Sequence, residues 1–137
     1  MRDAGVSTGT TDVQVVEAVY TAMRTGDVER LFELVDEGCV ITQDDRLPWG
    51  GRYVGHDGFA TFGLRLRGAI DSRVRTDALF VADGDVIQVG RTAGTTVETG
   101  TSFDVAEVHR WTIRDGRVAA AHFAIDTPAM LGALGLT

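Results

Sequence analysis

The chemistry of this chain is concentrated around His109, within the stretch from Glu107 to Asp126. A neutral imidazole can donate to a developing oxyanion or shuttle a proton near neutral pH. Glu107 precedes it by two residues and Trp111 follows it by two. Side chains alternate along a strand with period two, so Glu107, His109, Trp111 and Ile113 share one face. Val108, Arg110 and Thr112 share the other. A titratable ring between a carboxylate and a large aromatic suits a pocket; its plainer role is a structural bond to Glu107. Arg91 could hold an anionic or carbonyl group in a bidentate fork, and in its plainer role forms an ion pair. Asp44 could serve as a base if its loop turns it inward; otherwise it is a solvated loop acid. Tyr20 and Tyr53 offer phenolic donors. Gln43 can hydrogen-bond a ligand but cannot act as a base, because an amide does not titrate. Trp49, Phe62, Trp111 and Phe123 supply apolar surface for a substrate.

Several chemistries are excluded by what is missing. The three histidines, His56, His109 and His122, lack the His-x-x-x-His spacing of a zinc site. Cys39 is the single cysteine, which rules out an internal disulfide and a cysteine metal cluster and reads as a buried, inert thiol. Gly50 and Gly51 are not a phosphate loop, since no Lys and Ser/Thr follow. The net charge is −7 and all 13 basic residues are Arg without forming a cluster, so nucleic acid and anionic membrane surfaces are poor partners. No apolar run approaches the ~18 residues needed to span a bilayer. Met1 to Thr10 lack the apolar centre of a secretory signal, so the expected location is cytoplasmic.

The elements that must position these residues can be read in order. At 137 residues the chain makes one domain with a real core. Residues 1–10 read as a flexible extension and 11–137 as the folded domain. Thr11 and Gln14 fit a capping box that starts a helix running to about Arg24. Val16, Val19, Tyr20 and Met23 form its apolar stripe. Gly26 ends it, and Asp27 caps a second helix, Val28 to Val35, burying Leu31, Leu34 and Val35. A strand from Cys39 to Gln43 leads into a loop, Asp44 to Tyr53. A third helix, about Asp57 to Arg67, buries Phe59, Phe62 and Leu66. Strands then run from about Arg73 to Ala82, Val86 to Thr96, Ala106 to Arg114 and Arg117 to Ile125. Asp83-Gly84 and Asp115-Gly116 are tight hairpin turns. A short helical turn follows Pro128. Helices first and hairpin-joined strands afterwards predict an α+β fold: a strongly curved antiparallel sheet wrapped over the helices as a cone-shaped roll.

With these residues in place, the chain resembles the nuclear transport factor two-like superfamily, closest to its SnoaL-like polyketide cyclase branch. The resemblance is carried by the helix junction from Ala22 to Asp27, the stretch from Gly51 to Phe59, Gly94-Thr95, and above all residues 109–116. Asp126 and the 131–135 tail complete it. It covers about residues 12–135. It implies the ketosteroid isomerase-like fold and a homodimer through the sheet's outer face. It also implies cofactor-independent isomerase, cyclase or hydrolase chemistry on a small hydrophobic carbonyl or polyketide-like compound. The general base of ketosteroid isomerases falls near Gln43, with Asp44 one step on. Their oxyanion tyrosine falls on Val19, with Tyr20 displaced by one. Their second oxyanion donor falls on His109. The cyclases' acid falls on Phe123. The hydrolases' Arg–Asp pair falls on Arg91 and Ala93. No catalytic set is complete, so a second expectation stands beside the first: a non-catalytic small-molecule-binding or accessory homodimer that lacks the carboxylate. Neither needs a cofactor or a metal. The expected cavity is lined by Trp111, His109, Phe123, Ile41 and Phe62.

Overall fold

The computed structural model describes residues 11–137. The extension expected over residues 1–10 lies outside them. Thr11 caps helix α1 (Asp12–Thr25) through a complete capping box with Gln14, and Gly26 closes it at φ 70°. Its buried stripe is Val15, Val16, Val19 and Ala22. Met23, expected in that stripe, is 42% exposed, because the helix turns its Val15–Ala22 side to the sheet instead. Burying each of Val16 and Val19 completely is worth roughly 1.5–3 kcal/mol. Asp27 accepts from the Arg30 amide and caps α2 (Val28–Leu34).

Strand β1 (Val35–Gln43) follows directly, then β2 (Gly51–Val54), α3 (Gly55–Ala69), β3 (Ile70–Ala82), β4 (Asp85–Thr96), β5 (Ser102–Arg114), β6 (Arg117–Ile125) and α4 (Thr127–Ala133). The six strands form one curved, unclosed sheet in the order β2-β1-β6-β5-β4-β3. Both hairpin turns fall where the sequence places them, with Asp83 and Asp115 at φ 52° and 53° followed by glycines at 79° and 75°. Asp126 caps α4 by accepting from the Ala129 amide, with Pro128 in its first turn.

Two features differ from the sequence reading. The sheet is not wholly antiparallel: β1 and β6 run parallel, while every other pair is antiparallel. These two strands are far apart in sequence, so no turn chemistry dictates their relative direction. The last three residues of the expected loop, with Val54 after them, form an edge strand paired with β1, with Val40 opposite Val54 and Gln43 opposite Gly51. Four residues are too few to show an alternating pattern.

Strand β5 alternates from Ser102 to Trp111, with Phe103, Val105, Glu107, His109 and Trp111 buried and the residues between them exposed. This face meets the helices. The core gathers Val15, Val16 and Val19 of α1, Leu34 and Val35, Ile41, Trp49, Tyr53, Phe62, Trp111 and Met130.

Candidate functional site

The sheet register sets the site in rows. Gln88 of β4 lies opposite His109 of β5, His109 opposite Phe123 of β6, and Phe123 opposite Gln43 of β1. One row along, Val86, Trp111, Ala121, Ile41 and Tyr53 repeat the pattern. One row the other way, Gly90 faces Glu107 and Glu107 faces Ile125. Side chains in neighbouring rows on one face lie close enough to touch. All the chemistry-bearing groups on this face are therefore fixed by strand pairing, and α1 adds Tyr20 from above.

The Tyr20 hydroxyl lies 2.7 Å from His109 Nδ1 and accepts a hydrogen bond from Trp111 Nε1 at 2.9 Å. Indole can only donate, so the phenolic proton is free to point at Nδ1. The ring proton of the imidazole then belongs on Nε2, which lies 3.3 Å from Glu107 Oε1. The same carboxylate accepts from the Thr92 hydroxyl. Trp111, Tyr20, His109, Glu107 and Thr92 thus form one polar chain under an apolar cover. His109 is 7% exposed and Glu107 3%. Burial pushes the Tyr20 phenol well above its ordinary value; the Trp111 bond opposes this and the Glu107 charge adds to it. Tyr20 therefore stays protonated as a donor. Burial alone would raise the Glu107 carboxyl. The imidazole beside it, the Thr92 hydroxyl and Gln88 together outweigh burial and hold it below the usual range. A buried carboxylate, an imidazole and a phenol in series can hold or pass a proton, with the carboxylate fixing the ring.

Phe123 closes the chain on its other side. Its ring lies 4.7 Å from that of His109, 5.3 Å from Trp111 and 5.6 Å from Phe62. Beyond it lies a second polar group. Trp49 Nε1 donates to Gln43 Oε1 at 2.8 Å, Tyr53 donates to the Trp49 carbonyl at 2.8 Å, and Arg65 donates to the Tyr53 hydroxyl at 3.1 Å. Tyr53 and Phe62 meet edge to face at 5.3 Å. Tyr20, His109, Trp111, Phe62, Phe123, Gln43, Trp49 and Tyr53 are thereby brought into one connected region.

Two expected residues stand apart from it. Asp44 lies in the loop after β1, gripped by Arg46 at 2.6 Å, and that guanidinium lowers its carboxyl to about 2. Arg91 is opposite Ala106, on the outer face of the sheet, and pairs with Asp104 at 2.6 Å. The expected cavity is also more closed than foreseen: Ile41 and Trp111 are 0% and 1% exposed and belong to the packed core. A depression of about 310 Å3 lies elsewhere, between α1, α2 and the β5–β6 turn, lined by Val15, Arg30, Glu33 and Arg117 among others. His122 faces outward and bonds Thr42.

Sequence reasoning passed over Gln88 and Thr92. Both sit on the inward parity of β4 with Val86, and that polar alternation was the available signal. Among the described residues no group of three His, Cys, Asp or Glu could hold a metal ion, and no helix is long and apolar enough to cross a membrane.

Known proteins match this geometry at the level of fold and family. An NTF2-like protein from Burkholderia thailandensis is 27% identical with a TM-score of 0.84, covering 92% of this chain and 98% of its own. TerC, co-crystallised with polyporic acid, is 21% identical with a TM-score of 0.82, over 90% of this chain and 98% of its own. A protein of ketosteroid isomerase-like fold from Catenulispora acidiphila, in complex with trimethylamine, is 17% identical with a TM-score of 0.73, over 93% and 96%. Identities this low speak to the fold alone. No curated protein matches the chain. Residues 16–121, well over half of the sequence, match the SnoaL-like domain. The chain belongs to the SnoaL-like domain family, on the NTF2-like, ketosteroid isomerase-like fold.

Proposed function

We propose that this protein moves a proton on a small hydrophobic carbonyl or polyketide-like compound, as a cofactor-independent isomerase, cyclase or hydrolase. The observation that carries this reading is the Tyr20–His109–Glu107 chain on the concave face. In it Tyr20 turns its proton from His109 Nδ1 to the substrate oxygen, the freed Nδ1 takes the α-proton and later returns it, and Glu107, bonded to Nε2, is a positioning residue. Asp44 and Arg91 have no part in it. The fold neighbour TerC, co-crystallised with polyporic acid, supports small-molecule binding on this scaffold. The test is solvent-deuterium exchange at the α-carbon of a panel of small cyclic ketones, followed by NMR. Wild type should accelerate exchange, and Tyr20→Phe and His109→Phe should each lose roughly 10²–10⁴-fold. Exchange by wild type equal to buffer, or unaffected by both changes, would refute it.

A second reading rests on Phe123, which stands where the cyclases are expected to hold an acid and packs 4.7 Å from His109. It makes the protein a binding or accessory module; retained ligand affinity without exchange would favour it. Under either reading we propose a homodimer through the outer sheet face. There Val89 and Val108, directly opposite each other, are 37% and 44% exposed, and Phe80 is 45% exposed. Val108→Arg should then yield a monomer by sedimentation, and an unchanged dimer would refute that placement.

A further inference from the structure

The outer face of the sheet carries a strip that reads the same in both directions. Strand pairing sets Ala124 of β6 opposite Val108 of β5, Val108 opposite Val89 of β4, and Val89 opposite Ala78 of β3. All four are exposed, Val108 by 44% and Val89 by 37%. The strip is Ala-Val-Val-Ala, and its centre is the seam between β4 and β5. An isologous dimer needs a patch that matches itself when turned over about a twofold axis. An axis lying along this seam sets Val108 on the partner's Val89 and Ala124 on the partner's Ala78. The neighbouring row fits the same axis. It runs His122, Arg110, Ile87 and Phe80 from β6 to β3. Phe80, 45% exposed, lies as far to one side of the seam as β6 lies to the other. On β6 at that level is a depression of about 120 Å3, lined by Ala120, His122, Thr112 and Arg110 among others. The tight turns at this end of the sheet add charge complementarity. Asp83 makes the β3–β4 turn negative, and Arg114 opposite Arg117 outweighs Asp115 and makes the β5–β6 turn positive. Asp83, Arg114 and Arg117 are exposed, and none forms an ion pair among the described residues. The turns flank the seam, so the axis brings acid towards base twice.

We propose that two copies of this chain pack about a twofold axis along the β4–β5 seam, with valine on valine, alanine on alanine, and each Phe80 ring seated over the partner's depression beside Ala120. The inference rests on the outer-face dimer above and deepens it by fixing which residues meet. Sheets packed this way lie ~10 Å apart with their strands within about 30° of aligned. The two concave faces then look away from each other. Each Tyr20–His109–Glu107 chain is therefore complete within one protomer.

Cross-linking reads the axis directly. Ala78→Cys and Ala124→Cys proteins with different tags are co-expressed and treated with a two-carbon bis-methanethiosulfonate. Side chains opposed across sheets ~10 Å apart fall within its reach. Cys39 is 0% exposed and stays out of the reaction. The expected product is a covalent heterodimer carrying both tags. Neither protein expressed alone should cross-link, because the axis offsets identical positions by three strand spacings, about 14 Å. Phe80→Ala should weaken the dimer ~10-fold or more by sedimentation, since two rings leave their depressions. A sedimenting dimer that gives no heterodimer, or that cross-links within either single variant, overturns the axis and leaves the outer-face dimer standing. So does a Phe80→Ala dimer as tight as wild type. A wild type that sediments as a monomer at micromolar concentration overturns both.

Discussion

Tyr20→Phe removes one oxygen and leaves two buried groups stranded. The hydroxyl accepts from Trp111 Nε1 at 2.9 Å and faces His109 Nδ1 at 2.7 Å. Trp111 is 1% exposed and His109 7%, so water does not replace the lost partner without opening the packing. An unsatisfied buried polar group costs about 1–3 kcal/mol, and two are left. Against this, the phenol's own desolvation is relieved. The net expectation is a loss of about 2–4 kcal/mol, large among single substitutions. For a domain of this size that corresponds to a fall in Tm of roughly 6–16 °C. Urea unfolding followed by tryptophan fluorescence measures it, with an unchanged m-value showing that two-state behaviour persists. A coupled pair also predicts non-additivity: Tyr20→Phe and His109→Phe together should cost less than the sum of the two. A loss below about 0.5 kcal/mol for Tyr20→Phe, or strict additivity with His109→Phe, would refute the idea that the phenol is the hub of the buried chain.

Alkaline stability should carry the same signature. The folded-state value of Tyr20 is raised, so its contribution is complete below the unfolded value of ~10 and disappears as pH climbs above it. Circular dichroism between pH 9 and 12 should show a steeper loss in wild type than in Tyr20→Phe. Glu107 works in the opposite direction. Its folded-state value is depressed, so its contribution is complete above the unfolded value of ~4.3 and is lost as pH falls through the carboxylate range. Glu107→Gln should flatten the acid limb of a stability–pH curve, and an unchanged limb would count against the buried pair. Gly90→Ala should destabilise by about 1–3 kcal/mol, because its Cβ would sit 2.0 Å from the Arg75 carbonyl and β3 must shift; a stability equal to wild type would show that the strand yields freely.

The hairpins were legible from the sequence because their information is local. Asp115-Gly116 sets the turn, and the turn sets which residues of β5 share a face, so the grouping of Glu107, His109 and Trp111 followed from counting by twos. The helix caps at Thr11 and Asp27 were legible for the same reason. Tyr20 was not placed against His109 by any local rule. The two are 89 residues apart, and their contact depends on how α1 lies across the sheet. The direction of β6 beside β1 has the same origin, in long-range packing without a turn. Asp44 illustrates the limit from the other side: an acid next to an arginine two residues on forms its own pair and stays in the loop.

The parallel seam between β1 and β6 has a consequence for how the chain comes into being. Val40 pairs with Ala120 and Gln43 with Phe123, so the middle of the sheet joins residues separated by most of the sequence. Closing so long a loop costs entropy before any contact rewards it. During synthesis α1, α2, β1, β2 and α3 are complete long before β6 exists, and until then β1 presents an open edge beside β2 alone. The β3–β6 meander can form from neighbouring hairpins, but it has nowhere to dock until that seam zips. Folding of this domain is therefore gated by β6, and β1 carries a bare strand edge until residues 117–125 have been made.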